Sequence, residues 1–517
     1  MPKRAKKAKK RSSSRRNLAV LLVAICGIAV LAGTLAFDKL PSTIGDNAEF
    51  MILGRALAAG EGFRYISHPD ARPATKYPPG FPLMLAGWIK VFGNSILSMK
   101  IHVMVCYVAA MALTFLLGRK LLGDALGMTA ALLVTTSWTV VMYSHQVLSD
   151  IPYAMLSLVV VLLFLSLSGR RRTMVAGTLI CIWAYFVRTA GVSLVAATVI
   201  FLMLRGRKKD GLLLLGGFVL VSALWAVRNY TMTGEGSRYT GVLLAANPYD
   251  PDKGLISFTG LIGRAWTNLV GYVGYLLPLN VLPSVVTEAA EAGGTALRTL
   301  LSLLIVAVAV LGGYTLRKKT LLISLYLMIY LLVYLAWPDV WMSERFMIPV
   351  APFLAIYLFA GCRRIIRYFE ARHLVVMVLC SILVLTNVYS LAEFSRRDRG
   401  YPPGWSEYLE TARWVREYTP QQSVVMCRKP FMFYLFSDRK TIAYPFTRDA
   451  AVMRKHLAES RPDYIILEDF GGGTSTTEVY LVPVLKEMLA YLENVYATGE
   501  PVNMVLKFTP PGPGGGR

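Results

Sequence analysis

Charge is scarce in this chain: only 17% of its 517 residues are Asp, Glu, Lys or Arg. What charge there is lies in short clusters between apolar runs, the distribution a bilayer enforces because a charge in hydrocarbon costs several kcal/mol. Cysteine is also sparse. Cys26, Cys106, Cys181, Cys362 and Cys380 lie in or beside apolar segments, Cys427 stands apart, and no two form a CxxC pair. Neither a disulfide framework nor a zinc site is indicated. The chain lacks a Walker A loop, an HExxH helix, a GxSxG elbow and a Rossmann glycine fingerprint, so nucleotide-driven transport has no support. Gly471-Gly472-Gly473 reads as a loop rather than a phosphate cradle. No internal repeat is evident, which argues against the matched halves of many transporters.

Hydrophobic residues, by contrast, make up 55% of the chain, and its mean hydropathy is +0.50. Soluble domains run at about 45–50% apolar. The net charge of +24 flanks the apolar segments, which is the positive-inside pattern rather than a nucleic-acid footprint. Residues 1–16, rich in Lys, Arg and Ser, are expected to be a disordered basic cytoplasmic tail drawn to anionic lipid.

A crossing helix needs about 20 apolar residues. Asn17–Phe37 fits an uncleaved signal anchor, being too long for a signal-peptide core. Further candidates are Ile96–Leu117, Ala125–Tyr143, Ile151–Leu167, Leu212–Val227, Leu297–Leu316, Leu321–Trp337, Phe346–Cys362 and Leu374–Leu391. Met174–Leu204 is interrupted by Arg188. Read as one helix, it would carry Arg207-Lys208-Lys209 outside and invert everything downstream. Read as a hairpin turning at Arg188-Thr189-Ala190-Gly191, it keeps that cluster inside with Arg170-Arg171-Arg172, Arg317-Lys318-Lys319 and Arg363-Arg364, and the hairpin is preferred. Tyr272–Val286, broken by Pro278 and Pro283, is expected to lie on the outer interface.

The expectation is an α-helical polytopic protein of the inner (plasma) membrane with about eleven spans, its N-terminus cytoplasmic and its C-terminus outside. The membrane domain covers 17–392, with outer loops at 38–95 and 228–296. Within the first loop, a helix at Asn47–Ala59 is ended by Gly60 at C′. Residues 393–509 alternate helix and strand and read as a small extracytoplasmic α/β domain. Its elements are helices at Ser406–Tyr418, Ala450–Ser460 and Val479–Asn494, strands at Val424–Cys427, Thr441–Tyr444 and Tyr464–Leu467, and a hairpin around Gly499. Residues 510–517 form a Pro/Gly tail with no implied fold.

On this topology several polar residues share one membrane level: Asp46, Glu49, Lys76, Tyr77, His145, Asp150, Arg188, Arg228, Glu344 and Arg345. Charges there are functional candidates. Each also has a structural reading. Asp46 and Glu49 are spaced as a capping box, and Asp150 precedes Ile151-Pro152 as a cap would. Arg188 and Arg345 are placed to snorkel, Lys76–Pro82 forms a rigid turn, and His145 suits an interfacial residue better than a metal ligand. Their joint placement argues for one cavity, and no metal or cofactor is expected.

Five motifs in order carry a resemblance: Gly45-Asp46-Asn47-Ala48-Glu49-Phe50, Tyr77-Pro78-Pro79-Gly80-Phe81-Pro82, Ser149-Asp150-Ile151-Pro152-Tyr153, Val187-Arg188-Thr189-Ala190-Gly191 and Glu344-Arg345-Phe346-Met347-Ile348-Pro349. Across roughly Asn17–Leu391 the chain resembles the GT-C superfamily, near the dolichyl-phosphate-mannose–protein mannosyltransferase and aminoarabinose transferase group. The resemblance implies a polyprenyl-phosphate sugar donor, single-step inversion, and a lipid, glycan or protein acceptor. By position Asp46 is the implied general base. The family often has a second acid directly after it, where this chain has Asn47, which leaves Glu49 and Asp150 as further catalytic candidates. Lys76, Arg188 and Arg345 are candidates for the leaving phosphate, since Arg binds phosphate oxygens in pairs. Tyr77, His145, Arg228 and Glu344 are expected to line the cavity. A lipid-linked polysaccharide ligase or polymerase, a flippase and a membrane scaffold are the competing readings.

Overall fold

The first helix runs from Pro2 to Leu35. The basic run expected to be disordered is therefore helical, because Lys, Arg and Ala are strong helix formers and the apolar span that follows supplies the nucleus. The computed structural model describes residues 2–165, 171–234, 238–367, 372–397, 400–470, 475–500 and 502–509. Arg170, the Gly471-Gly472-Gly473 run and residues 510–517 lie outside the described residues.

Among the described residues six helices are long and apolar enough to cross a bilayer: Arg16–Leu35, Ile96–Leu122, Lys208–Thr233, Pro283–Leu316, Glu344–Ile366 and Val378–Arg396. Shorter apolar helices complete the bundle, among them Asp124–Thr135, Asp150–Leu165, Thr189–Leu204 and Leu321–Leu335. The chain is a multi-pass membrane protein. In Glu344–Ile366, 89% of the apolar window is buried, against 11% in Lys208–Thr233, so the former is the axis of the bundle and the latter a lipid-facing edge. Glycine lets the axis pack tightly. A Cβ on Gly312 would fall 1.8 Å from the Tyr357 carbonyl oxygen, and one on Gly361 1.9 Å from that of Val308. Small residues permit such backbone contact between membrane helices.

The hairpin reading of 174–204 holds. Helix Arg171–Val187 ends before Arg188, whose backbone is extended, and a 3₁₀ turn at Thr189–Gly191 leads into Val192–Leu204. Two expectations need correction. Ala125–Tyr143 is broken at Thr136-Ser137 into Asp124–Thr135 and Trp138–Tyr143. Tyr272–Val286 does not present its apolar face to the interface: Tyr272, Leu279, Val281, Leu282 and Val286 are buried in the main core. Asn280 at its centre donates to the Glu344 carbonyl at 2.9 Å. The segment is apolar because protein covers it.

The C-terminal unit carries a five-stranded sheet. In chain order the strands are β1 (Val424–Met426), β2 (Lys440–Ile442), β3 (Tyr464–Leu467), β4 (Leu492–Ala497) and β5 (Met504–Phe508). Their spatial order is β2-β1-β3-β5-β4, with β1 parallel to both β2 and β3 and the β3–β5–β4 edge antiparallel. Helix Ala450–Ser460, strand β3 and the hairpin around Gly499 match expectation. Helix Pro430–Ser437 was not expected, and the helix anticipated through Asn494 stops near Lys486. From Leu492 the chain becomes β4, because pairing with β5 outweighs local helical pattern.

This unit is docked on the membrane domain. Ala48 of helix Gly45–Ala58 shares a hydrophobic cluster with Tyr408, Met432 and Phe433. Thr441 N donates to Ser67 O at 2.7 Å, Lys440 Nζ donates to Ile66 O at 2.7 Å, and Tyr480 OH donates to Tyr249 O at 3.0 Å.

Candidate active site

Helix Gly45–Ala58 starts after Ile44, which offers no side-chain cap. Asp46 and Glu49 therefore do not form a capping box. One turn apart on a helix, they share a face, and both carboxylates meet cations. Arg345 Nη2 lies 2.7 Å from Asp46 Oδ2. Lys76 Nζ is 2.8 Å from Glu49 Oε2 and 3.8 Å from Asp46 Oδ1. The Tyr77 hydroxyl donates to Asp46 Oδ1, and that of Tyr65 donates to Glu49 Oε1 at 2.6 Å. Burial opposes ionisation of Asp46, but Arg345, Lys76 and the Tyr77 hydroxyl outweigh it and hold the carboxyl well below the usual carboxylate range. For Lys76, burial works against the charged form, yet Glu49 and Asp46 raise it above an ordinary lysine.

A second ion pair adjoins the first. Arg188 Nη2 is 2.9 Å from Asp150 Oδ1, with the Asp150 side chain 1% and that of Arg188 12% exposed. Arg188 also donates to Ser149 Oγ at 3.1 Å and Tyr334 OH at 3.2 Å. It does not snorkel to water. The Arg345 guanidinium lies within electrostatic reach of Asp46, Asp150 and Arg188, which joins the two pairs. Glu344 completes the group by accepting from Tyr143 OH at 2.8 Å. Residues from all five motifs thus converge at one end of the bundle, seated on a helix start, the turn before helix Gly80–Phe92, a hairpin turn or the 3₁₀ segment Glu344–Val350.

Two expected members are placed differently. Arg228 donates to the carbonyls of Ala74 and Phe63 and stacks on Trp225 at 5.0 Å. It braces the 63–75 loop rather than the carboxylates. His145 Nε2 accepts from the Asp38 backbone N–H at 3.2 Å, and its ring lies 5.1 Å from Phe37, so it secures the end of the first helix. Next to it, Gln146 Oε1 accepts from Asn47 at 3.4 Å.

Tyr65, Tyr143 and Tyr334 escaped the sequence reading, because a tyrosine in a loop or an apolar run carries no outward sign of its hydroxyl's partner. Lys429 escaped it too. It lies close enough to Lys76 and Asp46 for their charges to act on it. Its signal was its place just after β1. Among the described residues no three His, Cys, Asp or Glu side chains converge as a metal site.

Residues 76–227 match the dolichyl-phosphate-mannose-protein mannosyltransferase family, a stretch that takes in Lys76, Tyr77, Asp150 and Arg188. No curated protein matches in sequence. In three dimensions the chain is similar to ArnT from Cupriavidus metallidurans bound to undecaprenyl phosphate, with 14% identity, a TM-score of 0.58, and 94% of this chain and 97% of that one covered. The apo state of the same protein gives a TM-score of 0.59 at 14% identity over 95% and 98% of the two chains. It is also similar to the oligosaccharyltransferase AglB from Archaeoglobus fulgidus in complex with an inhibitory peptide and a dolichol-phosphate, at 13% identity and a TM-score of 0.55, covering 86% of this chain and 69% of that one. The chain is built on the GT-C fold of membrane glycosyltransferases.

Proposed function

We propose that this protein transfers a sugar from a polyprenyl-phosphate-linked donor to an acceptor at the outer face of the membrane, in one inverting step. The observation that carries this reading is Asp46, an ionised carboxylate at the meeting point of Arg345, Lys76 and Tyr77. Structures of similar fold bound to undecaprenyl phosphate and dolichol-phosphate support a lipid phosphate as the donor's carrier.

The acceptor oxygen attacks the anomeric carbon as the bond from that carbon to the phosphate oxygen breaks. The acceptor's proton passes to Asp46, and the polyprenyl phosphate departs carrying the bonding pair. Charge growing on the phosphate needs fixed cations, which Arg345, Lys76 and Arg188 provide. Arg345 and Lys76 restrain Asp46 before the donor arrives, and a carboxylate so stabilised is a weak base. Donor phosphate draws Arg345 and Lys76 toward itself, which removes countercharge from Asp46 and raises its affinity for the acceptor proton. Glu49 fixes Lys76, and Asp150 fixes Arg188.

The test is transfer from radiolabelled polyprenyl-phosphate sugars into a membrane acceptor extract, comparing purified wild type with Asp46→Asn. Activity in the wild type that collapses in a folded mutant supports the reading. Equal transfer by both removes Asp46 as the base. Failure of the wild type with every hexosyl and pentosyl donor would overturn glycosyl transfer, and donor flipping in liposomes would then be measured.

A further inference from the structure

Strand β1 sits between two parallel neighbours, and the chain leaves it in opposite directions. Helix Pro430–Ser437 leads to β2 on one side, and after helix Ala450–Ser460 the chain returns as β3 on the other. In open α/β sheets the crevice outside the carboxyl ends of such strands is where ligands bind. Here the carboxyl end of β1 delivers Arg428 and Lys429, and that of β3 delivers Glu468. Lys429 on this edge lies within electrostatic reach of Lys76 and Asp46.

The charges on this edge are incompletely matched. Among the described residues the Lys429 ammonium has no hydrogen bond or ion pair, although the residue is partly buried. Among the described residues the Arg428 guanidinium lies over the Phe470 ring at 5.4 Å and has Glu468 Oε1 as its one ion-pair partner, at 3.7 Å, and that oxygen already accepts from the Thr477 hydroxyl. Glu468 is 5% exposed, and its Oε2 has no partner among the described residues. Burial pushes its carboxyl up to about 7, so its countercharge to Arg428 is partial near neutrality. A cavity of 240 Å³ opens beside Arg428, walled by Tyr444, Phe446 and Pro251. Another of 740 Å³ is lined in part by Glu468 and Thr477. The backbone is held in place: Lys429 N donates to Tyr408 OH at 3.3 Å, and the helix that follows packs on Ala48 through Met432 and Phe433.

We propose that Arg428 and Lys429 form an oxyanion subsite that holds a phosphate or carboxylate group of the acceptor beside Asp46, with the open oxygen of Glu468 free to bond a hydroxyl of the same molecule. The proposal rests on the transfer reading for the word acceptor. It assigns the anion to the acceptor because Lys76, Arg188 and Arg345 already serve the donor phosphate from the membrane side. Lys429 belongs to the C-terminal unit, where a polar acceptor enters. A cation pair at such a concave edge recognises an oxyanion through charge-assisted hydrogen bonds.

The probe is glycerol 3-phosphate, an anion carrying hydroxyls, titrated calorimetrically into the full-length protein in nanodiscs with and without saturating undecaprenyl phosphate. Uncharged glycerol serves as the control. The expected result is binding of the phosphate probe in both conditions, weakened at least ~10-fold in Lys429→Met and Arg428→Met and held within ~3-fold in Lys429→Arg. Retention in Lys429→Arg guards against a folding artefact, checked by monodispersity on gel filtration. Binding abolished by undecaprenyl phosphate would place the anion in the donor site and overturn the proposal, as would equal affinity in wild type and Lys429→Met. A wild type that transfers sugar while Lys429→Met binds normally sinks the subsite alone. A wild type that binds the probe through Lys429 but transfers nothing sinks the transfer reading and leaves an oxyanion site.

Discussion

Arg345 Nη2 lies 2.7 Å from Asp46 Oδ2, although 299 positions separate the two residues in the chain. The contact ties the helix that begins at Gly45 to the entry of the central helix, and it couples the proposed base to a proposed phosphate ligand. Asp46→Asn and Arg345→Gln are each expected to lower kcat/KM by ~10²–10⁴-fold. The double mutant should lose less than the product of the two, with a coupling energy of about 0.5–3 kcal/mol. Strictly multiplicative losses in single-turnover assays would show that the pair does not act as a unit.

The acid limb of the pH–rate profile should report the same coupling. In the free protein Arg345 and Lys76 overcome the burial of Asp46 and depress its pKa, so kcat/KM should stay level down through the ordinary carboxylate range. Lys76→Met removes one of those cations, and the limb should move to higher pH. In kcat, which reads the donor-bound state, the wild-type limb should already lie higher than in kcat/KM. A Lys76→Met profile that overlays the wild type would refute the electrostatic role of Lys76.

Much of this site was legible because the bilayer restricts where charge can be placed. Asp46, Glu49, Asp150, Arg188, Glu344 and Arg345 stood at or just beyond ends of apolar runs, and sidedness alone put them on one level. Hydropathy says nothing of a helix's rotation about its axis. Arg228 therefore looked equivalent to Arg345, although its guanidinium turns to the Phe63 and Ala74 carbonyls. The same blindness misplaced Tyr272–Val286, since apolar residues facing lipid and facing protein have the same composition. Lys429 was hidden because its meaning depends on strand order β2-β1-β3, which pairs segments far apart in sequence.

Asp150 and Arg188 make a buried ion pair, and removing one member leaves the other charge uncompensated. Asp150→Asn should destabilise the protein by about 3 kcal/mol, read as a lower melting temperature in detergent. Arg188→Met in the Asp150→Asn background should recover part of the loss, because no charge is then left unpaired. If Asp150→Asn alone melts like the wild type, the pair is solvated and its supporting role falls.

The contact of helix backbones at Gly312 and Gly361 predicts a sharp positional contrast. Gly312→Ala places its methyl against the Tyr357 carbonyl and should cost about 1–3 kcal/mol or more through overpacking. Gly216→Ala, in the exposed helix Lys208–Thr233 with nothing within 4 Å of a new Cβ, should be neutral or stabilising by up to ~1 kcal/mol. Similar melting temperatures for the two variants would contradict the close crossing.

Glu468 gives the C-terminal unit a pH dependence of definite sign. Burial raises its folded-state pKa from 4.5 to about 7, so between those values the folded protein binds more protons than the unfolded chain. Stability from this group is therefore unaffected below about pH 4.5, falls as pH rises through the window, and levels off above about pH 7. The full swing is on the order of 3 kcal/mol. Glu468→Gln keeps the shape and cannot ionise, so it should flatten this slope and be the more stable form at pH 8. Denaturant melts of the C-terminal unit in the intact protein, followed at pH 4.5, 6 and 8, would measure it. Parallel curves for wild type and Glu468→Gln would mean that the carboxylate is solvated or paired in the folded state. The open oxygen offered to an acceptor hydroxyl would then have to be abandoned as well.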